Sequence, residues 1–485
     1  MMEAGTDPRR WKALAVLGIA YLMVVLDVSI VNVALPSIQT DLGFTVENLQ
    51  WVVSGYALTF GGFLLLGGRM GDLLGRRTFF MIGLGLFFVT SLWAGLANSD
   101  EMLIIARLAQ GAAGAILAPS VFSIITVTFR EGAERNKALG ILGGIAGSGA
   151  AIGVLLGGVL TSYVGWEWIF FVNLPISAVA LALVPRYVRE SRAEGLARNF
   201  DAAGALTVTA SLMALVYGLT QSTNNGWTSG KTIGALVASA ILMAVFLFIE
   251  TRSRSPLVPL SIFRRRTLTG ANVVGFLLGT MIFGIFFMLS LYMQQVLGFS
   301  AMQTGVGYLA VALTAVVAAT ISQALVTRVG VKPVLIVGKV LLGIGMIYFT
   351  QVSVDGSYWA DLLPGFLLIG IGMGFSFVPI SIAALAGVQG PEAGLASGLI
   401  NTSQQIGGAL GLAILATVAA TRTDTLVATG EPVPQALTSG FSLAFWVAAG
   451  FALVSLATTL VVIRREDVAQ VDTHAEEAQP VPAVA

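Results

Sequence analysis

Long apolar runs, separated by short polar stretches, follow one another along almost the whole chain. A membrane-spanning helix needs about 20 mostly apolar residues, and fourteen of these runs meet that requirement. The pattern therefore predicts an all-α membrane protein with fourteen transmembrane helices. The predicted spans are 13–36, 50–68, 79–97, 101–128, 137–163, 166–185, 202–220, 232–250, 270–297, 304–326, 333–352, 360–387, 393–421 and 440–463.

Basic residues lie almost entirely in alternate loops between these spans. With the N-terminus inside, 22 of the 26 Lys and Arg residues fall in inside loops, whereas Lys231 and Arg422 fall outside. The remaining two, Arg107 and Lys339, lie within predicted spans. Because cytoplasmic loops carry the excess of Lys and Arg, we expect both termini in the cytoplasm and a multi-pass protein of the bacterial cytoplasmic membrane. The polar N-terminus does not resemble a signal peptide, so the first run is expected to be a retained span.

The composition narrows the class of protein. Hydrophobic residues make up 56% of the 485 residues, charged residues only 11%, and the mean hydropathy is +0.88, which does not suit a soluble protein. Cysteine is absent and the single histidine, His474, lies in the polar tail. We expect no catalytic residue, no metal and no cofactor. The net charge of +1 argues against a nucleic-acid partner, and no protein partner is indicated.

A weak internal repeat divides the chain. It predicts two parallel six-helix bundles, the architecture of one class of secondary transporters, with a two-helix insert between them. The matching residues are Gly75, Arg77 and Gly83 with Gly330, Lys332 and Gly338, and Gly114, Pro119, Leu139 and Gly147 with Gly374, Pro379, Leu399 and Gly407. The predicted domains are an N-terminal bundle (1–200), an insert and linker (201–262), a C-terminal bundle (263–463) and a disordered cytoplasmic tail (464–485).

The loop after the second span reads GGRMGDLLGRR. It resembles the inner-gate loop of the major facilitator superfamily through five residues: Gly68, Asp72, Gly75, Arg76 and Arg77. The resemblance implies a set of charge and helix-dipole contacts that break and reform during alternating access. An ordinary positively charged inside loop is the alternative interpretation.

The fifth span resembles the antiporter motif of the same superfamily at five glycines: Gly140, Gly149, Gly153, Gly157 and Gly158. Small residues at this spacing let another helix approach closely. The stretches LDVSIVNVALP, RLAQG, WEWIFFVNLPI and GLASGLINTSQQIGGALG extend the resemblance to the 14-spanner drug:proton antiporter family. This chain departs from the family at Val154 (usually Pro), Glu167 (usually Arg) and Gln404 (usually Arg). The last two changes remove a positive charge, so substrate preferences of relatives do not transfer directly.

One carboxylate, Asp27, lies in the middle of the first apolar run. At 1.5 Å per residue, Asp27 and Arg107 of the fourth span both lie about 9 Å below the outer membrane edge. Charged residues inside a membrane are costly and commonly mark ion or substrate paths. Asp27 is therefore predicted to be the proton-coupling carboxylate, with Arg107 as its partner. A purely structural ion pair between the first and fourth spans remains the alternative.

Other polar side chains lie within spans. Five are candidates for lining a substrate cavity or for bonding between helices: Asn32, Gln110, Asn401, Gln404 and Gln405. Lys339 is expected to extend to the membrane interface. Glu250 and Asp361 lie near helix ends and are expected to be solvated.

Together these features predict a proton-coupled antiporter that exports lipophilic, cationic drugs or toxic compounds. Its predicted partners are a small-molecule substrate, protons and the lipid bilayer. A dedicated exporter of one endogenous metabolite, natural product or lipid would have the same features. A non-transporting membrane scaffold or sensor is a third interpretation. The gate-loop spacing and the embedded acid argue against it.

Overall fold

A computed structural model of the chain describes residues 9–129, 133–192, 201–253, 256–258, 263–385 and 392–463. The regular elements in these residues are all helical, as predicted. The α-helices are α1 (Arg10–Leu42), α2 (Val46–Leu49), α3 (Trp51–Leu74), α4 (Arg76–Gly95), α5 (Asp100–Thr128), α6 (Ala133–Tyr163), α7 (Trp168–Phe171), α8 (Asn173–Tyr187), α9 (Ala202–Asn225), α10 (Gly230–Arg252), α11 (Arg266–Leu291), α12 (Ala301–Val329), α13 (Val331–Phe349), α14 (Leu363–Leu385), α15 (Glu392–Ala428) and α16 (Val433–Val462). Two π-helical segments, Tyr292–Val296 and Tyr358–Leu362, follow α11 and precede α14.

Twelve helices among the described residues are long and apolar enough to cross a membrane. The predicted spans 50–68 and 137–163 correspond to α3 and α6, in which the described apolar stretches are shorter. The span predicted over 166–185 consists of α7 and α8, which meet at Val172. The predicted tail, 464–485, lies outside the described residues.

The helices pack in two groups joined by a pair. Helix α1 packs against α6 and α8, and α5 packs against α3 and α4. In the second group, α14 packs against α12 and α13, while α16 lies against α11, α13 and α15. Helices α9 and α10 pack on each other, and α9 also contacts α3 and α15, so this pair touches both groups.

Glycines that match in the sequence repeat occupy matching helix crossings. Gly83 of α4 lies against Ile116 and Leu117 of α5, and its counterpart Gly338 of α13 lies against α14. Gly114 of α5 lies against α3, and its counterpart Gly374 of α14 lies against α12. The repeated glycines therefore mark places where equivalent helices approach closely.

We call the end of the molecule where α1 begins the basic end, and the end where α1 finishes the far end. Near the far end the two groups meet directly. The amide of Gln294 donates to the Val33 carbonyl at 2.9 Å, and the Met302 backbone N–H donates to the Ser162 hydroxyl at 3.0 Å. These contacts join α1 and α6 of the first group to the segments around α11 and α12 of the second.

Candidate functional site

The acid at the centre of the first apolar run is paired with the arginine predicted as its partner. Asp27 on α1 and Arg107 on α5 are each 1% exposed, and the Arg107 Nη1 lies 2.6 Å from the Asp27 Oδ2. The similar depths estimated from sequence therefore correspond to direct contact. The pair joins two helices within the N-terminal group.

Two amide side chains complete the coordination of the Asp27 carboxylate. Gln110, one turn after Arg107, donates to Asp27 Oδ1 at 2.8 Å, and Asn173 at the start of α8 donates to the same atom at 3.0 Å. Both amides also donate to the Ser91 hydroxyl on α4, at 2.9 and 3.3 Å. All of these residues are buried, so the network contains polar groups from four helices and is closed to solvent.

Arg107 is held on its other side by α3. Its Nε donates to the Val52 carbonyl at 2.8 Å, and its Nη1 also contacts the Gln110 Oε1 at 2.6 Å. The guanidinium lies over the Tyr56 ring, 4.4 Å from the ring centroid, and 5.6 Å from that of Phe170. A planar guanidinium suits this combination of directed bonds and ring contacts, which a lysine could not reproduce.

The arrangement determines what protonation of Asp27 would change. The carboxylate accepts three hydrogen bonds, and all of its neighbours in the network donate to it. A proton on Asp27 would neutralise one member of the ion pair and meet amide donors, so the amides would have to turn or separate. Protonation is thus linked to the relative positions of α1, α5 and α8.

The sequence predicted as the gate loop, residues 68–77, is mostly helical: residues 68–74 form the end of α3, residues 76–77 begin α4, and only Gly75 lies between the two helices. Gly75 has φ of +116°, a conformation that side chains rarely adopt, and this permits the sharp reversal between the helices. Gly68 lies against Pro119 of α5, and the Nε of Arg76 donates to the Ser123 hydroxyl at 2.6 Å. The side chain of Asp72 lies outside the described residues, so its predicted contacts stay a prediction.

Glu190, in the segment after α8, is a gate-loop partner that the sequence reading missed. Its carboxylate accepts hydrogen bonds from the backbone N–H groups of Arg77 and Thr78 at 3.1 and 3.0 Å, and lies 3.9 Å from the Arg77 Nε. Partial burial pushes the pKa of Glu190 upward, but hydrogen bonds from Thr78, Arg77 and Ser191 outweigh this and lower it overall. An acid positioned at the N-terminus of α4 also interacts favourably with the helix dipole.

The predicted antiporter helix, α6, packs closely on α1 next to Asp27. A Cβ at Gly149 would lie 2.9 Å from Val25, at Gly153 2.0 Å from the Ser29 hydroxyl, and at Gly157 2.6 Å from the Ile30 carbonyl. Gly158 instead lies against the Ala301 carbonyl of α12 in the second group. Gly140 lies in α6, but its surroundings are outside the described residues.

The departures from the family pattern lie at contacts as well. The carbonyl of Val154 would be 2.5 Å from a Cβ at Gly305, so α6 approaches α12 here without a proline. Gln404 lies at a similarly close crossing, where its carbonyl faces Gly279 of α11. Glu167 is half-buried in the turn before α7.

The five candidate cavity residues do not form one cluster. Gln110 belongs to the Asp27 network, whereas Asn32 is buried and donates to the Val28 carbonyl of its own helix at 3.1 Å. On α15, Asn401 is exposed, Gln404 lies next to α11, and Gln405 lies against Gly61 of α3. Of the three α15 residues, Gln405 is the one shown to lie where the two groups meet.

Two expectations about charged residues are wrong. Lys339 does not reach an interface: α14 and α16 cover it, and it is 1% exposed. Glu250 is not solvated but 4% exposed, because the chain after α10 folds back and the Val258 N–H donates to its carboxylate at 3.1 Å. Asp361 is half-buried and accepts a hydrogen bond from the Ser357 N–H at 2.7 Å.

An all-helical membrane fold with a buried ion pair and a glycine-rich gate loop defines a secondary transporter of the two-bundle class. The model of the Major Facilitator Superfamily matches residues 17–412, and the chain belongs to this superfamily. It is a transporter rather than an enzyme.

Relatives and solved structures agree with that assignment. The chain is 38% identical to the puromycin resistance protein pur8 of Streptomyces alboniger, over 94% of this chain and 91% of the relative. It is also 38% identical to the cephamycin export protein CmcT of Amycolatopsis lactamdurans, over 82% and 83% of the two chains. In fold it resembles a bacterial homologue of the human lysosomal transporter Spinster in its inward-facing, unoccupied conformation, with a TM-score of 0.65 at 16% identity and coverage of 96% and 99%.

Proposed function

We propose that this protein is a proton-coupled antiporter that exports lipophilic, cationic drugs or toxic compounds across the bacterial cytoplasmic membrane. The observation that carries the proposal is the buried pair of Asp27 and Arg107, placed in a membrane helix against which the antiporter-motif helix α6 packs. A buried carboxylate in a hydrogen-bond network that spans four helices can convert a protonation event into helix movement.

In this mechanism the ionised Asp27 holds α1, α5 and α8 in the arrangement described above. A proton arriving from outside neutralises Asp27, weakens its bond to Arg107 and releases the helices. The bundle then reopens on the opposite side, where the proton leaves. Substrate binding at the interface between the two bundles favours the step that carries substrate outward, so that proton entry and substrate exit alternate.

The membrane arrangement is part of the proposal. We infer fourteen spans, with α3 and α6 as the second and fifth, and with the basic end in the cytoplasm. The distribution of Lys and Arg supports this orientation, since 22 of 26 lie in loops on that side. In that orientation the contacts of Gln294 and Met302 close the outer side of the carrier.

A dedicated exporter of one natural product is the second candidate. Its support is that the two relatives described above are each named for a single antibiotic, puromycin or cephamycin. Asp27 is also 1% exposed and surrounded by its donors Arg107, Gln110 and Asn173, so a substrate cation does not reach it in this conformation. Coupling by Asp27 is the same in both candidates, and only the breadth of substrates differs.

The test uses purified protein in liposomes with an imposed pH gradient and a fluorescent lipophilic cation. The native chain is expected to couple cation movement to proton flux, and Asp27→Asn to lose the coupling while staying folded. Asp361→Asn, a half-buried acid outside the network, is the matched control and should couple like the native chain. Normal coupling in Asp27→Asn would show that the ion pair has a purely structural role. Coupling with puromycin or cephamycin but with no other compound would favour the dedicated exporter.

A further inference from the structure

Lys339 is the most deeply buried lysine side chain among the described residues and takes no part in the network around Asp27. It is the ninth residue of α13, about 12 Å along the helix from Val331 at 1.5 Å per residue. It is 1% exposed, and its Nζ has no hydrogen-bond partner within the described part of the chain. Because buried polar groups normally have hydrogen-bond partners, the buried amine of Lys339 needs a physical explanation.

The surroundings of Lys339 can be located from contacts on either side of it. On α14, the Phe375 carbonyl and Ser376 hydroxyl lie within 2.9 Å of a Cβ at the adjacent Gly338. On α16, Lys332 donates to the Leu460 carbonyl and Gly343 lies opposite Ala452, so the stretch 452–460 passes the level of Lys339. This stretch contains Ser455.

The hydroxyls of Ser376 and Ser455 are also buried and without partners among the described residues. Three unpaired polar groups, from α13, α14 and α16, thus share one depth inside the C-terminal bundle. Hydroxyls can accept a hydrogen bond from an ammonium or donate one to a neutral amine, so this environment suits either form of the lysine.

The two helices that cover Lys339, α14 and α16, supply no acid to balance a charge on it. Helices α14 (Leu363–Leu385) and α16 contain no Asp, Glu, Lys or Arg. The charged groups on the other packed elements are Arg328 in the last turn of α12, Lys332 on α13 itself, and Asp361 at the opposite end of α13. Two of these three are positive, so an ammonium at Lys339 would be buried without a counter-charge, which is unfavourable.

We propose that Lys339 is a second proton-carrying site of the transport cycle, an amine that is uncharged in this conformation and becomes charged when the C-terminal bundle exposes it to water. The proton is taken from water on one side of the membrane and returned to water on the other, so no further reactant is needed. The proposal rests on the proton coupling proposed above and adds a site to it. Its consequence is that two protons move per substrate, one through Asp27 and one through Lys339.

The number of protons can be measured from the substrate gradient at zero net flux. Native protein in liposomes, with the membrane potential held at zero by potassium and valinomycin, is given a series of pH gradients. With two protons per substrate, each pH unit sustains an about 100-fold substrate gradient, and with one proton an about tenfold gradient. We expect the first value for the native chain and the second for Lys339→Met, which keeps an unbranched side chain of similar length.

Lys332→Met, on the same helix but half-buried and bonded to the Leu460 carbonyl, is the matched control and should keep the native gradient. A native gradient in Lys339→Met would overturn the proposal. Lys339→Gln serves as the second variant if the methionine variant does not fold.

A second measurement does not depend on transport. The chain contains five lysines, so carbon-13 labelling at lysine Cε gives few NMR signals, and Lys339→Met assigns the one in question. We expect that signal at the neutral-amine shift at pH 7, with the other four at the ammonium shift. An ammonium shift would refute the proposal even in a protein that couples normally. If the native chain shows no coupling at all, the function proposed above fails, and the NMR result alone decides whether Lys339 is an uncharged amine.

Discussion

At the scale of single residues, the balance of the Asp27–Arg107 pair can be tested by removing one partner. Arg107→Ala leaves a carboxylate buried without its counter-charge, and such a change costs about 3–5 kcal/mol. We therefore expect a large fall in the unfolding temperature of the detergent-solubilised protein. The measurement is thermal unfolding followed by intrinsic fluorescence, with the native chain as reference.

The double variant Asp27→Asn, Arg107→Gln separates charge from packing. Both replacements are neutral; position 27 can still form hydrogen bonds with Gln110 and Asn173, and position 107 with Gln110, so we expect most of the lost stability to return. Transport coupling should not return, because no protonatable group remains at position 27. Equal instability of the single and double variants would show that the bonds of Arg107 to Val52 and its contact with Tyr56 matter more than the charge.

Residue-level reasoning from sequence found the pair but not its full environment. Asp27 and Arg107 could be predicted because charges inside apolar runs are rare and helix rise gives their depth. Ser91 and Asn173 could not, since single small polar residues are common in membrane helices and their direction depends on packing. Asn173 did lie in the quoted stretch WEWIFFVNLPI. Burial of Lys339 was missed for the same reason: whether a lysine can extend to an interface depends on which helices cover it.

At the scale of helices, the contact between α1 and α6 has little spare room. A Cβ at Gly157 would lie 2.6 Å from the backbone carbonyl of Ile30, and backbone cannot move aside as a side-chain tip can. We expect Gly157→Ala to lose about 1–3 kcal/mol of stability, as overpacked sites do, and to slow transport. Thermal unfolding and the liposome assay measure the two effects.

Gly85→Ala on α4 is the matched control, because nothing lies within 4 Å of a Cβ there. Alanine favours a helix over glycine, so this variant should be neutral or slightly more stable. If both alanine variants behaved alike, close approach of α6 to α1 would not be what the glycine provides.

The contact between Glu190 and the start of α4 predicts a pH dependence. Because the pKa of Glu190 is lowered in the folded protein, the stabilisation is complete above the ordinary glutamate value of 4.5 and is lost as the pH falls through the lower folded value. Glu190→Gln should therefore unfold at a lower temperature than the native chain at pH 7, and the difference should shrink in acid. Unfolding temperatures at a series of pH values provide the test; a difference that persists below the folded pKa would assign the effect to packing.

The hydrophobic pattern predicted the helices well where a membrane span consists of one continuous helix. The pattern could not reveal that the sixth predicted span divides into α7 and α8 at Val172, because the stretch WIFFVNLP is apolar except for Asn173 and a single polar residue does not indicate a helix break. It also could not reveal the π-helical segments Tyr292–Val296 and Tyr358–Leu362, which arise from backbone hydrogen bonding near helix ends. Such features are set by tertiary contacts, which hydropathy does not encode.

At the scale of the whole molecule, the two bundles share a framework but differ in chemistry. Repeated glycines occupy matching crossings, Gly83 with Gly338 and Gly114 with Gly374. The buried ion pair lies in the first bundle, and the unpaired lysine in the second. The repeated glycines could be predicted from the sequence because close helix crossings require them. The chemical difference between the two halves could not, because it depends on what surrounds single charged residues in the fold.

The transport cycle proposed above requires the contacts at the far end to open, and this can be tested by joining them covalently. The Met302 N–H lies 3.0 Å from the Ser162 hydroxyl, so the backbones of α6 and α12 are close at this point. The natural chain has no cysteine, and Ser162→Cys with Met302→Cys would introduce a single pair. A disulfide there would hold the two bundles together at the far end.

We expect oxidation of the double variant to abolish transport in liposomes and reduction to restore it, whereas each single-cysteine variant should transport under both conditions. Full transport by a variant whose disulfide has been verified by mass spectrometry would mean that these two helices stay together throughout the cycle, and that the opening lies elsewhere between the bundles.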